Sequence, residues 1–139
     1  METLIKWGVN PDKLCVIPLF APDLEFFDKA KEVKINLGDY NLQDVTKPVI
    51  FYAASHLHHK GFQYYLIAAS KILKKFDATF VVGGKGPLTA SLKNLSEKLG
   101  ISKHVVFTGW ISNYHMPYIL SNIPDICIST SLAEQLPSY

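Results

Sequence analysis

From Lys47 onward, short continuous apolar runs alternate with stretches in which apolar residues recur every three or four positions. Four short apolar runs, rich in β-branched and aromatic residues, predict buried strands. These runs lie at 48–54, 78–82, 104–108 and 125–129. Between them, apolar residues recur at spacings of three and four, which predicts helices after Gly61 and Pro87 and a short helix over 117–121. The alternation predicts an α/β fold, a Rossmann-like doubly wound parallel sheet, rather than an antiparallel α+β domain.

Each of the two longer predicted helices carries one apolar stripe that is expected to face the sheet. The first stripe consists of Phe62, Leu66, Ala69, Leu73 and Phe76. The second consists of Leu88, Leu92, Leu95 and Leu99. Three lysines are expected to turn away from the first stripe: Lys71, Lys74 and Lys75. We interpret the aromatic side chains of Phe62, Tyr64 and Tyr65 as helix packing rather than as a platform for stacking bases.

The first part of the chain lacks this alternation. A strand is predicted at 14–18 and a short helix within 23–31, whereas the polar stretch 28–46 is expected to be a loop or connection. We therefore divide the chain into 1–46, a leading strand with a connecting segment of the same domain, and 47–139, the Rossmann-like part.

The amino-acid composition favours a folded globular protein. The chain has 139 residues, 48% of them hydrophobic and 19% charged, which suits one domain with a substantial core and argues against disorder. Its 14 basic and 12 acidic residues are spread along the chain and give a net charge of +2. No run of like charge indicates a nucleic-acid partner.

The cysteines and the first residues of the chain indicate in which cellular compartment the protein is expected. Cys15 and Cys127 are too few and too far apart for a disulfide framework, which favours a reducing cytoplasm. The start, 1–9, has no apolar signal core, and nowhere do about eighteen apolar residues run together, so no membrane span is expected.

Polar and glycine-rich segments follow all four predicted strands. We name them the first rim loop (55–61), the second (84–87), the third (109–111) and the fourth (129–134). The carboxyl ends of parallel strands share one edge of the sheet, where open α/β sheets bind ligands. The four loops therefore predict one ligand site, and Glu134 places a carboxylate beside it.

Gly84 and Gly86 would let the backbone approach a ligand, and a helix starting at Pro87 would present free N–H groups and the positive end of its dipole. The alternative is a tight turn with no ligand. The segment matches neither a dinucleotide fingerprint nor a Walker A loop. Lys60 could neutralise a diphosphate, or it could be a solvated loop lysine.

Three histidines in the first rim loop raise the question of a metal. No Cys, Asp or Glu lies near His56, His58 and His59 to complete a ligand set, so no metal site is expected. We interpret all three as solvated loop histidines. No Ser/His/Asp or Cys/His arrangement can be assembled from the sequence.

The rim segments, in this order, resemble the C-terminal, donor-binding domain of retaining GT-B glycosyltransferases, especially the large family-four group. That family reads Gly-Arg-x4-Lys-Gly, Gly-x-Gly-Pro, Phe-x-Gly and Pro-Ser-x-x-Glu. The counterparts here are 54–61 (ASHLHHKG), 84–87 (GKGP), 107–109 (FTG) and 130–134 (TSLAE). The segment 8–18 (GVNPDKLCVIP) is similar to the beginning of the family's domain.

The resemblance implies transfer of a sugar from a nucleotide-diphosphate-sugar donor to an acceptor hydroxyl, with retention and with no obligatory metal or cofactor. The acceptor would be a sugar, a lipid or a polysaccharide. Lys60 would bind the donor diphosphate, the backbone at Trp110 and Ile111 would meet the base, and Glu134 would be the catalytic acid that contacts the donor sugar. The remaining residues implied in donor binding are Ser55, Gly84, Gly86 and Ser131.

Three departures from the family pattern matter. Ser55 stands where the family has arginine, so half of the usual diphosphate clamp is missing, and a protonated His56 could partly compensate. The second Glu of the family's Glu-x7-Glu motif would lie beyond Tyr139. The N-terminal acceptor domain is also absent, so the chain is expected to be an incomplete piece of a transferase that does not catalyse transfer alone. The parent enzyme could touch a membrane peripherally.

Two other functions stay open. The chain could be a non-catalytic nucleotide-binding module or subunit that needs a separate acceptor-domain partner, as Ser55 suggests. It could also belong to a sugar-nucleotide epimerase of the related GT-B type, which we rank last because Lys60 and Glu134 fit the transferases at least as well.

Overall fold

The computed structural model describes residues 2–14, 24–30, 32 and 34–133. Within these residues, four strands form one parallel sheet: β1 (Val49–Ala53), β2 (Thr79–Gly83), β3 (Val105–Gly109) and β4 (Ile126–Cys127). The described ranges also contain five α-helices: α1 (Glu2–Lys6), α2 (Leu24–Ala30), α3 (Phe62–Ile72), α4 (Thr89–Lys98) and α5 (Met116–Asn122). The strand order is β3-β2-β1-β4. The predicted doubly wound α/β fold is confirmed.

The sheet is covered on both faces because the direction of chain winding reverses after β3. On one face, Ile50 and Tyr52 of β1 pack with α3 and α4. On the other face, Val49 and Phe51 pack with α5 and with the segment 35–45. Successive side chains of a strand point to opposite faces, so the apolar run of β1 supplies both cores at once.

The apolar stripe of α3 is confirmed in its first half and wrong at its end. Phe62, Leu66 and Ala69 are fully buried against the sheet. The helix ends at Ile72, so Phe76 lies beyond the last turn and is 66% exposed.

The packing interpretation of the aromatic residues is also only partly correct. Phe62 and Tyr65 are fully buried, whereas Tyr64 is half exposed. Tyr65 occupies the buried position of that turn, three residues from Phe62, and the neighbouring residue therefore points outward. The Tyr65 hydroxyl donates to the carbonyl oxygens of Ile50 (2.8 Å) and Val81 (3.1 Å), and burial raises its pKa.

The polar stretch before the sheet contributes more to the core than the sequence indicated. It contains a short 3-10 helix, Leu37–Tyr40, and it buries Tyr40 and Leu42 against the same face as α5. The Tyr40 hydroxyl lies 2.7 Å from Nδ1 of His115. The helix predicted within 23–31 is present as α2. The strand predicted at 14–18 lies, from Cys15 on, outside the described residues.

The strand β4 is shorter than predicted, but its flanks continue the pairing with β1. The Asp125 N–H donates to the carbonyl of Val49 (2.9 Å), and the Ile128 N–H donates to that of Phe51 (3.0 Å). The Asp125 carboxylate accepts from the Val49 N–H (2.7 Å) and from Nζ of Lys47 (3.0 Å), and these bonds, the first most of all, lower its pKa.

Across the described parts of the chain, none of the helices combines the length and apolar character needed to cross a bilayer.

Candidate functional site

A cavity of about 380 Å³ opens at the carboxyl edge of the sheet, beside β1 and β4. Phe51 of β1 and Cys127 of β4 line it from the sheet, and Met116 and Leu120 line it from α5. The chain leaves β1 toward β2 on one side, whereas β4 joins β1 on the other side. Such a reversal of strand order leaves a crevice between the loops, which is where doubly wound sheets bind ligands.

Most of the predicted donor-binding residues meet at this cavity. Five of them line it: Ser55, Lys60, Gly84, Trp110 and Ile111. Gly86 and Ser131 do not line it, and they instead contribute to contacts between the rim loops. Glu134, the predicted catalytic acid, lies outside the described residues.

The backbone of Lys60 is tied to the core and to the fourth rim loop. Lys60 ends a 3-10 turn, His58–Lys60, and its carbonyl accepts the hydroxyl proton of the buried Tyr52 (2.7 Å). Oγ of Ser131 lies 2.9 Å from the same hydroxyl, and because Tyr52 has already donated its proton, Ser131 is the donor there. One core tyrosine thus positions two of the rim loops.

Gly61 brings these two loops into direct contact. It has a φ of +66°, and a Cβ at this position would lie 2.0 Å from the carbonyl oxygen of Thr130. The Thr130 hydroxyl donates to the Gly61 carbonyl (3.0 Å), and the Leu132 N–H donates to the carbonyl of His59 (2.7 Å). The fourth rim loop therefore rests on the first because residue 61 has no side chain.

The glycines of the second rim loop also make room for protein backbone. Gly84 has a φ of +101°, and a Cβ there would lie 2.1 Å from the carbonyl oxygen of Ala54. A Cβ on Gly86 would lie 2.8 Å from both the nitrogen and the oxygen of His56. The space left by the missing Cβ of each glycine is filled by the chain around the first rim loop, although the Gly84 backbone still lines the cavity.

His56 is the centre of that contact and is fully buried. Its Nδ1 lies 2.8 Å from Oγ1 of Thr89, and its Nε2 lies 3.3 Å from the carbonyl oxygen of Gly83. Its N–H donates to the Lys85 carbonyl (3.2 Å), and its own carbonyl accepts from the Leu88 N–H (3.2 Å). Burial lowers the pKa of the imidazole, although the Gly83 carbonyl acts in the opposite direction.

Two expectations about the first rim loop are therefore wrong. His56 is not a solvated loop histidine, and its burial, its lowered pKa and its position outside the cavity lining argue against a cation that compensates for the missing arginine. His58 and His59 are exposed, as predicted. In the described part of the chain, no group of three His, Cys, Asp or Glu side chains is placed to hold a metal ion.

The start of α4 also differs from the prediction. The helix begins at Thr89 instead of Pro87, and the N–H groups of Gly86 and Thr89 at its start have partners within the protein. The Gly86 N–H donates to Oγ1 of Thr89 (3.0 Å), and the Thr89 N–H donates to the Gly86 carbonyl (3.0 Å). These amides hold the turn together and are not available to a ligand.

The third rim loop presents one buried and one exposed apolar side chain to the cavity. Ile111 is buried and packs with Val81 of the central strand, whereas Trp110 is 61% exposed. The Gly109 carbonyl accepts from the Gly84 N–H (2.8 Å), which fixes this loop to the second one. An exposed indole beside a cavity offers a flat apolar surface against which a base can stack.

Two basic side chains are among the described residues that line the cavity. Lys60 and Lys85 both line it, and among the described residues that line it there is no carboxylate. The Cys127 thiol in its lining has a pKa raised by burial, so it adds no negative charge at neutral pH. Lys85 lies in a segment that the sequence motif includes but was not predicted as a site residue, and no sequence signal marks Met116 or Leu120 on α5.

The family follows from the sequence pattern over most of this fold. The pattern that defines the family described as Glycosyl transferases group 1 matches residues 38–139, which include the sheet and all four rim loops. The chain belongs to this family.

Curated relatives agree with the assignment. The chain is 30% identical over 98 residues to an alpha-D-kanosaminyltransferase of Streptomyces kanamyceticus, a match that covers 70% of this chain and 25% of the relative. It is 29% identical over 121 residues to a 2-deoxystreptamine glucosyltransferase of the same organism, covering 84% of this chain and 31% of the relative. The chain therefore spans less than a third of the length of these relatives.

Solved structures confirm the fold as that of a GT-B C-terminal domain. The C-terminal domain of the group 1 glycosyl transferase LpcC from Francisella tularensis superposes with a TM-score of 0.60 at 24% identity, covering 73% of this chain and 56% of that one. The lipopolysaccharide outer core galactosyltransferase WaaB gives 0.56 at 17% identity, covering 98% and 35%. A mutant of S. aureus TarM, in complex with UDP, Fondaparinux and alpha-GlcNAc-glycerol, gives 0.55 at 14% identity, covering 80% and 24%.

Proposed function

We propose that the chain forms the donor-binding part of a glycosyltransferase that moves a sugar from a nucleotide-diphosphate-sugar to an acceptor hydroxyl, with retention of configuration. The observation that carries this proposal is that residues of three rim loops, two lysines among them, line one cavity, while the fourth rim loop packs against the first. Its volume of about 380 Å³ falls within the roughly 300–1,000 Å³ typical of small-molecule sites. The structural neighbour TarM, which was solved with UDP, supports a nucleoside diphosphate as the ligand.

Each lining residue has a role in this proposal that suits its chemistry. Lys60 binds the diphosphate, and Trp110 and Ile111 meet the base. The leaving nucleoside diphosphate gains negative charge as the glycosidic bond breaks, so a fixed cation stabilises the transition state more than the ground state. Glu134 follows the described part of the fourth rim loop, and we assign it the contact with the donor sugar.

The remainder of the proposal concerns groups beyond this cavity. The acceptor is a sugar, a lipid or a polysaccharide, held by a further domain, since the relatives are more than three times as long as the part that the chain matches. No metal is required in this scheme, because lysine supplies the positive charge. We place the reaction in the cytoplasm, with peripheral contact of the whole enzyme at a membrane.

Calorimetric titration with UDP, GDP and ADP tests the donor site. The protein should bind at least one of them, and Lys60→Gln should weaken that binding by about tenfold or more, the usual effect of losing one hydrogen bond to a charged group. Lys98→Gln is the matched control, because it removes the same charge from the last turn of α4, at the end away from the cavity. A folded protein that binds none of the three nucleotides would contradict the proposal.

A non-catalytic nucleotide-binding module is the second candidate. It is favoured by the uncharged Ser55 at the cavity and by the neutral His56 behind it, which leave fewer cations than the resemblance implies. A labelled donor distinguishes the two. In an assay of a protein that also contains the acceptor domain, the transferase predicts release of the sugar to an acceptor, reduced by Glu134→Gln, whereas the module predicts binding with no release.

A further inference from the structure

We propose that Lys85 is a second phosphate-binding cation of the donor site and replaces the arginine that the family carries at the position of Ser55. The proposal rests on the donor function given above and adds a residue to it. Lys60, Lys85 and Ser55 all line the same cavity. A serine hydroxyl cannot supply a positive charge, so the charge missing from the first rim loop has to come from elsewhere.

The backbone places Lys85 opposite that missing charge. The His56 N–H, which belongs to the peptide bond between Ser55 and His56, donates to the Lys85 carbonyl at 3.2 Å. The main chain of Lys85 is therefore joined by one hydrogen bond to the peptide group that follows Ser55. A lysine stem of four carbons is long enough to span such a separation and to reach a ligand that an arginine at 55 would contact.

The backbone on both sides of Lys85 is held in place. Gly84 packs on Ala54 and donates its N–H to the Gly109 carbonyl (2.8 Å), while Gly86 packs on His56 and is bonded to Thr89. The Lys85 side chain is exposed and extends from this fixed turn. Holding the root of a flexible side chain reduces the entropy lost when it binds a ligand.

The charges that line the cavity fit two phosphates better than one. A nucleoside diphosphate presents two adjacent phosphates, and Lys60 and Lys85 place two cationic side chains at the same cavity. His56 contributes no charge because burial keeps it neutral. A site with two cations should therefore bind a nucleoside diphosphate more tightly than the matching monophosphate, and Lys85 should account for much of that difference.

Calorimetric titration with UDP and UMP, GDP and GMP, and ADP and AMP tests the inference on the nucleotide pair that binds best. Lys85→Gln should weaken diphosphate binding by about tenfold, the effect of losing one charge-assisted hydrogen bond, and should weaken monophosphate binding less. The double variant Ser55→Arg, Lys85→Gln should recover most of the lost affinity. Lys98→Gln should bind as the wild type does, and circular dichroism should show the same fold for every variant.

The possible failures are distinguishable. If Lys60→Gln weakens diphosphate binding and Lys85→Gln does not, the inference is wrong and the donor function stands. Equal weakening of the monophosphate and the diphosphate, without recovery by Ser55→Arg, would show that Lys85 acts on the structure of the turn and would also overturn it. If the wild type binds no nucleoside diphosphate, the donor function and the inference fail together.

Discussion

At the scale of single residues, His56 joins the first and second rim loops with both its side chain and its main chain. Its two ring nitrogens face Thr89 and the Gly83 carbonyl, and its peptide groups bond to Lys85 and Leu88. These contacts bring the backbones that carry Ser55 and Lys85 together. The imidazole therefore acts on the cavity through the geometry of its wall and carries no charge into it.

The pKa of His56 predicts how stability depends on pH. Because burial lowers the folded-state pKa below the ordinary value of 6.5, the unfolded chain takes up a proton first as pH falls. The stabilising effect of the neutral side chain is thus complete above pH 6.5 and is lost below it. Between pH 6.5 and the folded-state pKa, the free energy of unfolding should fall by at most about 1.4 kcal/mol per pH unit.

Urea denaturation of the wild type and of His56→Gln at pH 7.5 and 5.5 measures this effect. Glutamine keeps a hydrogen-bonding side chain but does not titrate, so the difference between the two pH values should be smaller in the variant. The other histidines are present in both proteins, so their contributions to the pH dependence cancel in the comparison. An identical pH dependence in the two proteins would mean that His56 has an ordinary pKa in the folded state.

At the scale of elements, the segment 35–45 covers one face of the sheet, a role that helices usually have in such folds. Parallel sheets need cover on both faces, and α5 alone has only seven residues. Tyr40 and Leu42 complete the core beside Ile119 and Ile123. The segment is irregular in its backbone but is as much part of the packed structure as the helices are.

Leu42→Ala tests the structural role of this segment. Leu42 is 1% exposed, and truncating a buried leucine leaves a cavity that costs about 2–5 kcal/mol of the free energy of unfolding. Leu57→Ala is the control, since Leu57 is 38% exposed in a rim loop and should cost much less. Equal effects of the two variants in chemical denaturation would show that the segment is dispensable.

At the scale of the whole molecule, the sequence was sufficient for the parallel sheet and for the positions of the rim loops. Strand and helix periods are local patterns, and the rule that carboxyl ends share an edge needs only the order of the elements. The contacts between loops could not be predicted in this way. The burial of His56 depends on a glycine turn near Gly86, and the burial of Leu42 depends on α5, both distant in sequence.

The first, second and fourth rim loops are joined by hydrogen bonds, so we expect all three to become more protected when a ligand binds. The first rim loop is bonded to the second through His56 and to the fourth through Thr130. Addition of the bound nucleoside diphosphate should therefore slow amide hydrogen exchange in these three loops together, with Glu2–Lys6 unchanged as an internal control. Slowing confined to the first rim loop would contradict this coupling.

Gly61 limits how this part of the molecule can vary. The carbonyl oxygen of Thr130 occupies the place of a side chain at 61, and that carbonyl lies on a segment 69 residues further along the chain. Any larger residue at 61 requires the segment that contains Thr130 to move away, and Glu134 follows four residues later in the sequence. A change at the start of α3 would thus displace the fourth rim loop, so residue 61 and the fourth rim loop are expected to change together in related proteins.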